Sequence, residues 1–430
     1  MDTRDRLASL LDADPSCVMG HVLDGYLHML SSKRAGFLRA IEALGRAEAV
    51  AASAAGLSKR ERLHVGALAA WSRGDMRGAV LKWDAVLDDA PRDIVALKVS
   101  QFVLSYLGES ARMHETVERV LPAWSAAVPG YGYVLGCHAY ALEETGEYTR
   151  AEAIGRLATD INPGDIWAAH AVAHVAEMEG RLHDGLAWIS SQSGHWSSCN
   201  NFTFHLRWHE ALLHLDLERN ARVLTLYDDV VRRPESDEYL DMANAVSLLW
   251  RLEQAEVDVG TRWTQLADHA RSHMSDHALV FVDLHYLMAI VAAADANAIG
   301  AFMESCERFA LVDSGTEASV MADVGLPLAR AVMAHRRGAY GDVVELLMPV
   351  RGKFRWIGGS HAQRDLFDQL LIDAARRGGH LDVAEELLAE RTSKRPRNIW
   401  AWREYANVLD SIGSPGAAAA SRRLDELRAS

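Results

Sequence analysis

Cysteine is scarce and scattered: Cys17, Cys137, Cys199 and Cys306 are the only four, and they include no C-x-x-C pair. That excludes a disulfide framework and indicates reduced thiols, as in a cytoplasmic protein. Strand patterns are also missing. No period-2 run of Val, Ile and Thr occurs, and only ten prolines punctuate a chain rich in Ala and Leu. The expected class is therefore all-α. The most apolar long stretch, 278–302, is interrupted by Asp283, His285, Asp295 and Asn297; it fits a buried helix rather than a membrane span. The opening MDTRDRLASLLDADPS carries charges where a secretory signal needs an unbroken apolar core. Basic residues number 45 against 59 acidic ones, net −14, with no Lys/Arg stripe. On that balance neither nucleic acid nor a membrane surface is expected as a partner. No glycine-rich phosphate loop follows a strand and no activated Ser or Cys is apparent, so no cofactor is expected.

What the chain does have is a repeat. Three segments share a Gly-x-aromatic/apolar-x-x-Ala turn with a proline 12 residues beyond the Ala: Gly74 with Ala79 and Pro91, Gly146 with Ala151 and Pro163, Gly379 with Ala384 and Pro396. Small residues at those places let two helices of a pair approach closely, and the proline ends the second helix. Weaker copies begin at Gly180 and Gly338 and run from Leu217 toward Pro234. The prediction is one domain, 1–430, a solenoid of tetratricopeptide-like helix pairs with a concave central pocket. Its repeats are clearest over 60–235 and 325–410 and degenerate over 236–324. Only the first dozen residues or so and the tail after Ser414 look loosely held.

The histidines follow the same period. His138 precedes His170 by 32 residues, while His170 and His174 precede His205 and His209 by 35 each, close to a tetratricopeptide repeat of about 34 residues. Positions one repeat apart sit side by side in a stack, so a row of imidazoles on one surface is expected. On the helix that Asp165 should cap, His170, His174, Glu177 and Arg181 fall within about 60° of arc among small apolar residues. Such a stripe faces a cavity; the blander reading is a satisfied core network in which Arg181 holds Glu177. His205 and His209 repeat the i, i+4 spacing, with Trp208 flanking. Two such pairs on adjacent helices could bind a divalent metal. They lack the Glu of H-E-x-x-H, however, and the bare spacing is common by chance in helical proteins, so metal-free acid/base chemistry is preferred and no metal is expected.

Further on, Asp283 and His285 lie roughly 200° apart on a helix, so only one can face the cavity, and Asp283 is taken as that one. Ser360 and Gln363 form a capping box after Gly358 and Gly359. Free N–H groups at that helix start could hold a carboxylate or phosphate, with His361, Arg364 and Asp365 at the same end.

Seven elements in order carry a likeness. They are His170-Ala-Val-Ala-His174-Val-Ala-Glu177-Met-Glu-Gly180-Arg181, Trp208-His209-x-Ala-Leu, Tyr227-Asp228, the Leu240-Asp…Ser247-Leu-Leu-Trp-Arg251-Leu stretch, Val259-Gly-x-Arg262-Trp263, Asp283-Leu-His285-x-Leu-Met-Ala, and Gly358-Gly-Ser-His-Ala-Gln-Arg-Asp365. Over about residues 20 to 400 the chain resembles the tetratricopeptide repeat protein 38 family; His361 departs from the residue usual at its place. The resemblance implies a right-handed superhelix and carries no activity with it. Its motif residues are His, Glu, Arg, Trp and Asp rather than the packing residues Ala, Gly and Pro, a distribution that looks like a site.

The expectation is a cytosolic enzyme or binder for a small polar organic molecule. His170 and His174 would be general acid and base, with Glu177 orienting an imidazole or acting as base itself. His209 and Asp283 would complete the catalytic group. Arg181, Arg262 or Arg364 would hold an anionic group, and Trp208 and Trp263 would supply apolar walls. His138, His205, His285 and His361 would be further contacts. The alternative is a non-catalytic scaffold for a protein partner; a homo-oligomer is compatible with both.

Overall fold

Helices alternate with short turns from Thr3 to Ala429 in the computed structural model, which describes residues 3–53, 56–196, 199–232 and 236–429. Pro234 lies outside the described residues. Among those described there is no strand. The small residues mark the pairs, as expected: Ala79, Ala151 and Ala384 are wholly buried. They sit in the pairs Lys59–Ser72 with Met76–Asp89, Tyr131–Glu144 with Tyr148–Ile161, and His361–Arg377 with Leu381–Lys394. The chain is an all-α superhelical stack of such pairs, each helix packed on the next. Irregular repeats coincide with π-helical turns at Tyr227–Val231 and Met321–Gly325, where one extra residue per turn shifts the helical register.

The largest core cluster runs from Val18 to Val408 and includes the wholly buried Trp83 and Trp208. Each such side chain contributes about 2–3 kcal/mol by leaving water. The ends are better held than expected. The helix Thr3–Ala13 buries Leu7, and Ala417–Ala429 buries Ala420, Leu424 and Leu427, because each has an apolar stripe to set against its neighbour.

The stack closes on itself. Thr316 donates its N–H to the carbonyl of Gly74 at 2.9 Å, and Asn398 donates to Asp216 at 3.0 Å. Gly180, with φ +65°, lies so near the 395–398 turn that a Cβ there would stand 3.0 Å from the Arg397 carbonyl oxygen. At Gly358, φ +81°, a Cβ would come within 2.5 Å of the Tyr106 carbonyl oxygen. Only glycine fits both the backbone conformation and these approaches. The helix His361–Arg377 consequently packs on Ile166–Met178 and Tyr239–Gln254. These contacts narrow the concave side into a cavity. No helix among the described residues is long and apolar enough to cross a membrane.

Candidate functional site

Two helices bring four imidazoles together. Asp165 caps Ile166–Met178 as expected, accepting from the N–H groups of Trp167 and Ala168 at 3.1 and 3.3 Å. His170 and His174 point from that helix toward His205 and His209 on Phe202–Asp216, with ring centroids 4.2 to 5.0 Å apart. His170 Nε2 lies 3.0 Å from His205 Nε2, which lies 3.3 Å from His209 Nε2. One ring nitrogen from each of the four falls within 4.8 Å of the others. Behind them, His209 Nδ1 donates to Glu177 at 2.8 Å and His205 Nδ1 to Asn244 at 3.2 Å. Glu143 lies 3.4 Å from His174 Nδ1. All four rings are buried. Burial, joined by the neighbouring imidazoles, pushes His170, His205 and His209 well below the ordinary histidine range. Burial acts on His174 too, but Glu143, with Glu177 and Glu144, outweighs it and holds that ring above the ordinary value.

The cluster forms part of the wall of a cavity of about 570 Å³, to which residues from Thr3 to Gln363 contribute. His170 and His205 line it; His174, His209 and Glu177 lie beneath. Around His170 the walls are aromatic, with Tyr140, Trp167 and Phe202 centred 5.6, 5.4 and 4.9 Å from its ring. Asp241 adds a carboxylate that is only 2% exposed. Its Oδ2 accepts from Asn201 at 3.0 Å, its Oδ1 has no partner, and burial pushes its carboxyl up.

Several expected placements are corrected. Arg181 does not share the stripe, because the helix ends at Met178 and Arg181 instead pairs with Glu152 and Glu179 at 2.5 and 2.8 Å. His138 leaves the row: its Nε2 meets Glu118 at 3.0 Å and its ring stacks on His114. Asp283 turns away from the cavity to His277, at 3.1 Å, and His285 donates to the Phe281 carbonyl at 2.7 Å. Arg262 is bound to Asp228 by two contacts of 2.8 and 2.5 Å, and Trp263 is buried with its indole N–H on Glu253 at 2.9 Å. Trp208 lies behind the wall, stacked on His205 at 5.2 Å with its N–H on Ser247.

The capping box of Ser360 and Gln363 is present, and the carboxylate at that helix start is the chain's own. Glu144 accepts from the His361 N–H at 2.8 Å and from Arg364 at 3.1 Å. No cavity-facing cation is left among Arg181, Arg262 and Arg364, since each is spent on an acidic partner.

Glu143 and Asn244 were not singled out from the sequence, and Asp241 was met only within the Leu240-Asp motif, where it reads as a tie between helices rather than a ligand contact. Glu143 could have been, since it precedes Glu177 by 34 residues, one repeat. Asn244 and Asp241 lie past an irregular connection, where the period gives no guide.

No family model matches the chain. Among solved structures, the human IFIT1 dimer with PPP-AAAA is similar over 100% of this chain and 96% of that one, at 12% identity and TM-score 0.43. The IFIT1 dimer with m7Gppp-AAAA is similar over 96% and 91%, at 12% identity and TM-score 0.40. Naa15/Naa10 bound to HypK-THB is similar over 97% of this chain and 64% of that one, at 11% identity and TM-score 0.27. The expectation that excluded nucleic acid is withdrawn. The IFIT1 structures carry PPP-AAAA and m7Gppp-AAAA, and a net charge sums the whole surface without locating any one group.

Proposed function

We propose that the protein holds a small organic molecule, neutral or cationic and with a flat apolar part, in the cavity walled by His170, His205 and Asp241. The observation that carries this is the pairing of aromatic walls with buried polar atoms that lack partners. Asp241 and His170 line the cavity, and each keeps one buried atom without a hydrogen-bond partner, Oδ1 and Nδ1; a turn of either side chain toward a ligand's donor or acceptor would complete it. A cavity of about 570 Å³ falls within the roughly 300–1,000 Å³ common for small ligands. Its charged lining is Glu238 and Asp241 against Arg4, which favours a cation over an anion. Contributions from both ends of the superhelix support this reading over an open groove for an extended peptide. We also infer membership of the tetratricopeptide repeat protein 38 family from the seven ordered motifs, a single domain from the continuous core, and a cytoplasmic setting from four free cysteines.

The test incubates the full chain with a metabolite extract, removes unbound material by gel filtration, and identifies what is retained by mass spectrometry. A retained species lost in Asp241→Asn, with the fold intact, is the expected result; retention of nothing, or equal retention by the variant, refutes the reading. Enzyme and binder are the two forms of the proposal. Turnover of the retained molecule by wild type and not by His170→Ala identifies the former.

A further inference from the structure

We infer that His170, His174, His205 and His209 together bind one divalent first-row transition metal ion, of the kind that prefers imidazole. This goes beyond the cavity reading, which stands with or without the ion, and it revises the metal-free site expected from the sequence.

The first reason is spacing. A tetrahedral ion with nitrogens at roughly 2.0–2.1 Å places them roughly 3.3 Å apart; of the six separations among the four rings, two are 3.0 and 3.3 Å and all lie within 4.8 Å. The second is proton placement. Glu177 and Asn244 each accept from an Nδ1, so His209 and His205 carry their protons there and present bare Nε2 lone pairs. Those lone pairs face each other at 3.3 Å on buried side chains. Only one can be relieved by a proton on His170, and His174 Nε2 has no partner at all. A central cation satisfies every one of them. Imidazole metal ligands are commonly held in this way, with the far N–H on a carboxylate or amide oxygen.

The third reason is charge. Glu143 is wholly buried, with neither oxygen hydrogen-bonded and only the His174 ring beside it, its Nδ1 3.4 Å away, an arrangement that costs heavily unless positive charge stands close by. Glu143 and Glu177 together match a dication. Four neutral nitrogen ligands suit zinc, copper, nickel or ferrous iron, rather than the oxygen-seeking calcium or magnesium.

The test purifies the untagged full chain anaerobically without chelator and measures bound metal by inductively coupled plasma mass spectrometry. About one ion per chain is expected, falling below about one-tenth in His209→Gln with unchanged circular dichroism. His195→Ala, at an exposed histidine outside the cluster, should leave the content unchanged. Should His209→Gln not fold, chelator-stripped wild type titrated with Co(II) gives the answer. Ligand-field bands of nitrogen-bound Co(II) saturating at about one equivalent support the site. Wild type that carries no ion and takes up no Co(II), or a folded His209→Gln with full metal content, overturns it. Asp241→Asn keeps its metal on this inference, so failure of the cavity reading and failure of the metal site are read separately.

Discussion

Replacing Glu144 by Gln probes a contact that ties together two coils far apart in sequence. Glu144 ends the helix Tyr131–Glu144, and its carboxylate takes the His361 N–H and the Arg364 guanidinium at 2.8 and 3.1 Å. Burial by itself would raise its pKa. His361, Arg364 and the backbone donor more than reverse that, bringing the carboxyl down to about 2 from an ordinary 4.5. That gap corresponds to on the order of 3 kcal/mol of folding stability. The folded-state value is depressed, so the contribution is fully present above the unfolded value, about 4.5, and is lost as pH falls through about 2. Glutamine keeps an acceptor for the His361 N–H but leaves the Arg364 charge, in a residue only 8% exposed, without its counter-ion. A loss of about 2–4 kcal/mol at pH 7 is expected. Urea unfolding of wild type and variant at pH 7, 4 and 2 measures it, and the gap between the two proteins should close toward pH 2. A deficit below about 0.5 kcal/mol at pH 7, or one of equal size at every pH, would refute the assignment.

Glu317 should behave in the opposite sense. Burial pushes its carboxyl up to about 8, opposed by one bond from the Val280 N–H, so wild type loses stability as pH rises from about 4.5 to 8. Glu317→Gln should flatten that decline in melting temperature, and an unchanged slope would show that the group titrates normally. Gly180→Ala should cost about 1–2 kcal/mol, from positive φ together with the Arg397 contact; Gly146→Ala, at φ +84° with nothing near, should cost less. Equal melting points for the two variants would mean that the approach to Arg397 adds nothing.

Periodicity made much of this molecule legible. A turn glycine, a buried alanine and a terminating proline at fixed offsets gave the helix pairs, because close packing of two helices demands small residues at fixed places. The same period aligned His170 with His205 and His174 with His209, since neighbouring repeats superpose on one face. What it could not give was where a helix stops. Arg181 shares the angle of the histidines but follows the terminating turn, so its side chain leaves in another direction. Nor could it give partners joined only by closure: Arg364 meets Glu144 from 220 residues away, which no local pattern records. His138 illustrates a third limit. It keeps nearly the right spacing, yet its ring is held by Glu118 and stacks on His114.

The abutment of Gly180 on Arg397 and of Gly358 on Tyr106 also constrains how such a chain can change length. An open array gains or loses a unit by duplication, each copy meeting only its neighbours. Here one additional helix pair anywhere between those contacts would carry the far turn off its seat, replacing several matched approaches with collisions or gaps. Lineages of this architecture should therefore vary in the loops and hold their number of coils fixed.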